Sequence, residues 1–95
     1  MKHRDYRAMG HTFSFWRERN HEIDILVERG HGPILAIECK SGRADIRTPT
    51  VHVFKKQFPH VPLIVASLLD KHPRRLENGV DVLPWAEAIQ RYQSL

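Results

Sequence analysis

Four charged side chains interrupt two apolar runs in the segment HEIDILVERGHGPILAIECKSG, which spans residues 21–42. They are Glu22 and Asp24 in the first run, and Glu38 and Lys40 in the second. Charged side chains are rarely buried unless they are paired or bind a metal ion. Two carboxylates and a lysine brought together could bind a divalent cation and hydrolyse a phosphate ester. The spacing of these residues therefore needs a structural explanation.

Both runs have the composition of β-strands, and a turn rich in glycine and proline at residues 29–33 separates them. If the turn comprises these five residues, Glu28 pairs with Ile34. The same register places Asp24 opposite Glu38, with their Cβ atoms roughly 5 Å apart. A slip of one residue would separate the two carboxylates. Because like charges that face each other destabilise a sheet, a positive charge is expected between them.

Two sources of that positive charge are open. One is Lys40, two residues from Glu38 on the same face of the strand. The other is a divalent cation such as Mg²⁺, which often takes one or two protein carboxylates together with waters and substrate phosphate. The backbone carbonyl of Cys39 would be a further oxygen ligand. A cation held by Asp24 and Glu38 would polarise a phosphoryl oxygen, and Lys40 would stabilise the developing charge.

The same residues also allow a purely structural interpretation. The register that pairs Asp24 with Glu38 places Glu22 opposite Lys40, where the two would form a cross-strand salt bridge. Asp24 and Glu38 would then face solvent. Alternatively, Glu22 would assist a second metal ion. The residue pattern leaves these possibilities open.

The remaining sequence predicts the elements around this hairpin. Thr48 and Pro49 suit the N-cap and first residue of a helix that runs to about Phe58. Residues 1–10 are interpreted as a helix end or a frayed tail, and residues 41–47 as a polar loop. Strands are predicted at 11–17, 22–28, 34–40, 63–69 and 80–83, and a last helix begins at Pro84, with a core-packing stripe of Trp85, Ala88, Ile89 and Tyr92. The order βββαββα indicates an α/β domain with a central mixed sheet and flanking helices.

An Asp in one strand followed by Glu-x-Lys in the next resembles the core of the PD-(D/E)XK nuclease superfamily, which has a restriction-endonuclease-like fold. The matching residues are Asp24, then Glu38, Cys39 and Lys40, followed by a predicted helix and a buried strand. A longer stretch, FWRERNHEIDILVERGHGPILAIECKSGR followed by VDVLPWAEAI, is similar to the carboxy-terminal nuclease-like domain of prokaryotic AAA-type ATPases.

The resemblance implies that Asp24, Glu38 and Lys40 are catalytic positions. It also implies that the two carboxylates and the Cys39 carbonyl bind Mg²⁺ or Mn²⁺. Glu22 and Ser41 match auxiliary positions of the ATPase-associated group. The sequence has no glycine-rich loop ending in Gly-Lys-Ser/Thr, so the ATPase part is absent from it.

The composition is compatible with a small protein that binds a polyanion. Fifteen Lys and Arg against eleven Asp and Glu give 95 residues a net charge of +4. Arg43, Arg47, Lys55 and Lys56 could line a phosphate track, or they could form an ordinary solvated surface. A single cysteine is typical of a reducing, cytoplasmic setting. No apolar run approaches the ~20 residues of a membrane span, so no membrane partner is expected.

We therefore expect residues 1–95 to form one PD-(D/E)XK nuclease-like domain that hydrolyses phosphodiester bonds in DNA with Mg²⁺ or Mn²⁺. The alternative is a non-catalytic nucleic-acid-binding or protein-interaction module related to the C-terminal domain of an AAA-type ATPase. Such a module would act beside an ATPase partner or as a homo-oligomer.

Overall fold

A mixed β-sheet organises the chain, with one helix on each of its faces. The computed structural model describes residues 10–30 and 32–95 in full and residues 4–6 as backbone. Within these residues the strands are β1 (Arg4–Tyr6), β2 (His11–Glu18), β3 (His21–Arg29), β4 (Gly32–Lys40), β5 (Leu63–Ser67), β6 (Arg74–Arg75) and β7 (Asp81–Pro84), and the helices are α1 (Thr48–Gln57) and α2 (Trp85–Gln93). This confirms the predicted α/β class with a mixed sheet and flanking helices.

The sheet combines an antiparallel half with a parallel half. Its seven described strands are ordered β1-β2-β3-β4-β5-β7-β6. Strands β1 to β4 pair antiparallel through successive hairpins, whereas β4 with β5, and β5 with β7, pair parallel. Helix α1 makes the crossover from β4 to β5 that a parallel pair requires. The element order ββββαβββα therefore has two short strands more than predicted, β1 and β6.

The β3–β4 hairpin has the predicted register at its centre but a tighter turn. Ile25 pairs with Ile37, which confirms the predicted alignment of the apolar segments. Nearer the turn, Glu28 pairs with Pro33 and the ladder shifts by one residue, so the predicted pairing of Glu28 with Ile34 is wrong. The turn is also shorter than residues 29–33, because the strands continue to Arg29 and Gly32. A bulge absorbs the difference and restores the register toward the carboxylates.

Two apolar cores lie on opposite faces of the sheet. Phe54 of α1 is fully buried on the first face, where its ring meets that of Trp16 edge-on with centroids 5.3 Å apart. Ala88 of α2 is buried on the second face. Every residue of β5 is buried, as expected for a central strand covered on both sides. The two helices thus fix the sheet from both sides.

Three details differ from the predictions. The strand expected at 63–69 ends at Ser67, and the two leucines after it are exposed. Arg47, not Thr48, is the N-cap of α1, and no side chain caps that helix. In the predicted stripe of α2, Trp85 and Ile89 are each 41% exposed, so only the other half of the stripe packs into the core.

The amino-terminal prediction is tested only in part. Within residues 1–10, residues 4–6 pair with β2 as a strand, which contradicts a helix end or a frayed tail at those positions. Residues 1–3 and 7–9 lie outside the described residues. No helix in the described part of the chain is long and apolar enough to cross a membrane.

Candidate functional site

Asp24 and Glu38 face each other at the point where the β3–β4 ladder ends. The last regular pair before them is Ile25 with Ile37. Beyond it, the Asp24 backbone N–H donates to Glu38 Oε1 over 3.2 Å, and the Cys39 backbone N–H donates to Asp24 Oδ2 over 2.9 Å. Side-chain carboxylates thus take over from backbone carbonyls as acceptors. Each carboxylate is held by the backbone of the opposite strand, which places the predicted pair together.

A second bulge, between β2 and β3, falls at Asp24 itself. Ser14 pairs with Leu26 and Trp16 with Ile23, so Asp24 and its neighbour on β3 both stand opposite one residue of β2. Ile23 and Leu26 consequently pack into the same core cluster, although strict alternation would put them on opposite faces. Bulges often re-aim a side chain beside a functional site. Here the bulge allows the Asp24 carboxylate to turn toward β4.

The bulge also alters the predicted role of Glu22. Alternation alone would place Glu22 and Asp24 on one face, but the alternation is interrupted between them and Leu26. The Glu22 carboxylate accepts a hydrogen bond from Arg17 Nε over 2.8 Å, and the same two residues form an ion pair. Glu22 therefore pairs with Arg17 of β2. It does not pair with Lys40, as the purely structural interpretation had required.

Glu38 is the most perturbed carboxylate of this group. Its side chain is only 13% exposed, and Lys40 Nζ lies 3.4 Å from its Oε2. Burial raises the pKa of Glu38 above its ordinary value, and the neighbouring charge of Asp24 raises it further. The charge of Lys40 lowers this pKa but does not cancel the other two effects. The site therefore has room for more positive charge than Lys40 supplies.

The ligands present suit a hard cation of low protein coordination. The Lys40 carbonyl accepts from the Leu68 N–H over 3.1 Å, on the β5 side. Because successive backbone carbonyls of a strand point to opposite neighbours, the Cys39 carbonyl points toward β3 and Asp24. Two carboxylates and one carbonyl fit Mg²⁺ or Mn²⁺, which retain several waters. No group of three or more His, Cys, Asp or Glu side chains able to hold a metal occurs within residues 10–30 and 32–95.

The Cys39 thiol has no part in this chemistry. It packs against the core cluster on the α2 face, as the alternation of β4 predicts. Burial raises the pKa of the Cys39 thiol, and the charges of Asp24 and Glu38 raise it further. The nucleophilic thiolate is therefore disfavoured.

A cleft of about 210 Å³ opens beside Glu38 and Lys40, and Asp24 is not among its lining residues. Its lining residues are Asn20, Glu22, Glu38, Lys40, Asp45, Ile46, Arg47 and Thr50. Four of these, Asn20, Asp45, Ile46 and Thr50, were not singled out from the sequence. For Asp45 the sequence carried a signal, because it is the polar residue between two apolar ones in the 41–47 loop. In the structure the two apolar residues are buried and Asp45 is exposed. The cleft is large enough for a phosphate group and its waters.

Side chains from β6 and the segment after it hold the 41–47 loop in place. Arg74 Nη2 donates to the Ala44 carbonyl over 2.6 Å, and Asn78 Nδ2 donates to the Ile46 carbonyl over 3.0 Å. Ala44 and Ile46 themselves are buried in the α1-side core. The loop is thus anchored at both residues that flank Asp45, and Asp45 and Arg47 line the cleft.

The predicted basic track is only partly assembled at this cleft. Arg47 lines it, whereas Arg43 and Lys56 are exposed and do not. Lys55 Nζ donates to the Val61 carbonyl over 2.6 Å and is used for structure. Ser41 is exposed just after β4 and does not line the cleft.

Comparison with known proteins shows the family of this chain but names no activity. The model of DUF4143, a domain of unknown function, matches residues 1–88. The chain therefore belongs to the DUF4143 family. No curated protein and no solved structure was found to match it.

Proposed function

We propose that this DUF4143 domain is a divalent-metal-dependent phosphodiester hydrolase of PD-(D/E)XK type that acts on DNA. One observation carries the proposal: Asp24 and Glu38 are locked together by reciprocal backbone hydrogen bonds while the pKa of Glu38 is raised. Holding two carboxylates together destabilises the apo protein, because their charges repel. A bound cation reverses that penalty. A surface salt-bridge cluster would have no need of this arrangement.

The site residues have separable roles in the proposed reaction. Asp24, Glu38 and the Cys39 carbonyl would hold Mg²⁺ or Mn²⁺. When bound, such a cation polarises a phosphoryl oxygen and lowers the pKa of a coordinated water. Lys40, 3.4 Å from Glu38, is placed to stabilise negative charge that develops on the phosphoryl oxygens. Arg47 on the cleft wall would bind a neighbouring phosphate of the same strand.

The topology is also compatible with the restriction-endonuclease-like fold. The antiparallel strands β2 to β4 precede the α1 crossover to the buried parallel strand β5. The carboxylates lie at the end of β4 from which this crossover departs. Within this proposal, an AAA-type ATPase is the expected partner class, as the sequence resemblance implies.

Cleavage of DNA tests the proposal directly. Supercoiled plasmid and labelled oligonucleotides are incubated with Mg²⁺ or Mn²⁺ and with the wild type or the variants Asp24→Asn, Glu38→Gln and Lys40→Ala. Loss of one charge-stabilising group typically costs about 10²–10³ in rate. Each variant should therefore lose at least that factor, whereas Glu87→Gln on α2 should cleave like the wild type. Cleavage that survives Glu38→Gln would refute the proposal.

A second candidate is a non-catalytic interaction module, which the surface of α2 favours. Trp85 and Ile89 lie one turn apart and are each 41% exposed. Exposed aromatic and aliphatic pairs of this kind are typical of protein interfaces. Sedimentation velocity of the wild type and Ile89→Asp separates the two candidates. Self-association that the variant abolishes, together with absent cleavage, would favour the module.

A further inference from the structure

The turn that follows β5 presents two leucines to solvent beside the proposed site. Leu68 and Leu69 are 62% and 65% exposed, the highest values among the exposed large hydrophobic residues of the described chain. The Leu68 N–H donates to the Lys40 carbonyl over 3.1 Å. The leucines therefore begin directly next to the residue that would stabilise the scissile phosphate. Exposure of two adjacent leucines to water is unfavourable, and a partner bound over them would remove this cost.

A hydrogen-bonded turn holds the leucines in this exposed position. Ser67, which is buried, accepts hydrogen bonds at Oγ from the N–H groups of Leu69 (3.2 Å) and Asp70 (3.0 Å). The Ser67 hydroxyl donates in turn to Asp70 Oδ2 over 2.6 Å, and Arg74 Nε donates to Asp70 Oδ1 over 3.0 Å. These bonds lower the pKa of Asp70 and keep it ionised. These four hydrogen bonds hold the turn in a conformation in which both leucine side chains are exposed.

The charge around the leucines indicates what kind of partner they meet. Residues 71–75 read Lys-His-Pro-Arg-Arg and contain no acidic residue. Arg74 is paired with Asp70 and Arg75 with Asp81, whereas Lys71 and His72 are exposed. The leucines therefore lie between the exposed Lys71 and the backbone of Lys40 at the proposed DNA site. An apolar tip in this position is complementary to a nucleic acid, which offers phosphates around a stack of apolar base faces.

We propose that Leu68 and Leu69 form a wedge that enters between base pairs of a DNA duplex bound at the Asp24–Glu38 site. This inference rests on the proposed function, because it requires DNA at that site. Architectural proteins insert leucine and other apolar side chains between base steps and so kink the duplex. Here the wedge lies next to Lys40, so the base step that it unstacks would lie within a few base pairs of the scissile phosphate. Partial unstacking there would open the backbone to the cleft.

Fluorescence of 2-aminopurine tests the wedge separately from cleavage. Duplexes carrying one 2-aminopurine at successive positions are titrated with full-length Glu38→Gln protein, so that they stay intact. At one or two positions the fluorescence should rise by at least about twofold as the base unstacks. The double change Leu68→Ala and Leu69→Ala, added to Glu38→Gln, should abolish the rise. The matched control is Ile89→Ala, an exposed aliphatic position on α2, which packs on the other face of the sheet from α1, and this variant should keep the rise.

Each result decides the proposal. Anisotropy of the same duplexes reports binding, and thermal unfolding verifies that the exposed alanines leave the fold intact. Binding without a fluorescence rise, or a rise that survives the double change, overturns the wedge while leaving cleavage to be judged by its own assay. Absence of binding at low salt overturns it as well. A changed sedimentation coefficient for the double variant without any fluorescence response assigns the leucines to a protein interface instead.

Discussion

Glu38 concentrates the unusual electrostatics of this molecule. Its carboxylate is nearly buried, accepts from the Asp24 backbone and lies beside a second carboxylate. Lys40 offsets only part of the resulting rise in its pKa. Residues that lower the stability of a fold while they sit at a cleft are candidates for function, because packing alone gives no reason to keep them. This is the physical link between the apo electrostatics and cation binding.

The first prediction concerns stability without metal. The folded-state pKa of Glu38 is raised, so its contribution to stability is fully present below the ordinary carboxylate range and is lost as pH rises through the folded value. Glu38→Gln keeps the shape and removes this loss. At about pH 8 it should therefore raise the free energy of unfolding, and with it the Tm, because the ionised carboxylate beside Asp24 is removed.

Thermal unfolding in a chelator measures this effect. At about pH 3, where both states are protonated, the variant and the wild type should unfold at the same temperature. Glu77→Gln, at an exposed position, should show no gain at either pH. A Glu38→Gln protein that is less stable than the wild type at the higher pH would show that Lys40 stabilises the ionised carboxylate more than burial and Asp24 penalise it.

At the scale of elements, one aromatic contact and two hydrogen bonds tie α1 to the strands beside the cleft. Trp16 on β2 donates its Nε1–H to Gln57 over 3.2 Å and meets the ring of Phe54 edge-on. His21 Nδ1 and Thr50 Oγ1, 2.8 Å apart, tie the start of β3 to the first turn of the helix. The helix therefore packs against the ends of β3 and β4 that carry the carboxylates.

The second prediction tests that anchoring. Phe54→Ala removes a fully buried ring and should cost about 3–5 kcal/mol of unfolding free energy. Phe58→Ala, at a half-buried position that packs on the same ring, should cost clearly less. Urea denaturation followed by tryptophan fluorescence measures both. Equal losses for the two variants would place the core of this face nearer the end of the helix than the structure does.

The elements also show how far the sequence alone could predict the site. The apolar segments of β3 and β4 determined their register, because any slip would expose Ile25 or Ile37, so the facing of Asp24 and Glu38 was predictable. The two bulges were not, since each depends on the competition between a turn and a distant ladder. Pairing with Lys40 was one of two roles left open for Glu22, and the structure pairs Glu22 with Arg17 of β2 instead. The short strand β6 has no apolar pattern and depends on pairing with β7.

At the scale of the whole molecule, the net charge is +4, but several of the arginines are engaged in ion pairs within the protein. Arg75 is paired with Asp81, Arg74 with Asp70 and Arg17 with Glu22. The cations available to a polyanion are therefore fewer than the composition suggests. Arg47, on the cleft wall, is the one member of the predicted basic track that the structure places at the site.

The third prediction follows from this distribution. Arg47→Ala should reduce the slope of log affinity for DNA against log salt concentration by about 1, because one phosphate contact is lost. Lys55→Ala should leave the slope unchanged, since its ammonium group is bonded to the Val61 carbonyl. Anisotropy titrations at several salt concentrations measure both slopes. A larger change for Lys55→Ala than for Arg47→Ala would locate the DNA path along the end of α1 instead of at the cleft.

Cation binding at Asp24 and Glu38 is the central claim, and paramagnetic broadening by Mn²⁺ in NMR tests it without any assumption about substrate. Backbone amide signals of the wild type, Glu38→Gln and the control Glu87→Gln are followed through a Mn²⁺ titration. The account predicts saturable broadening centred on residues 24 and 38–40 in the wild type and the control, and its loss in Glu38→Gln. Broadening elsewhere, at exposed histidines for example, or no localised broadening up to several millimolar Mn²⁺, would contradict it.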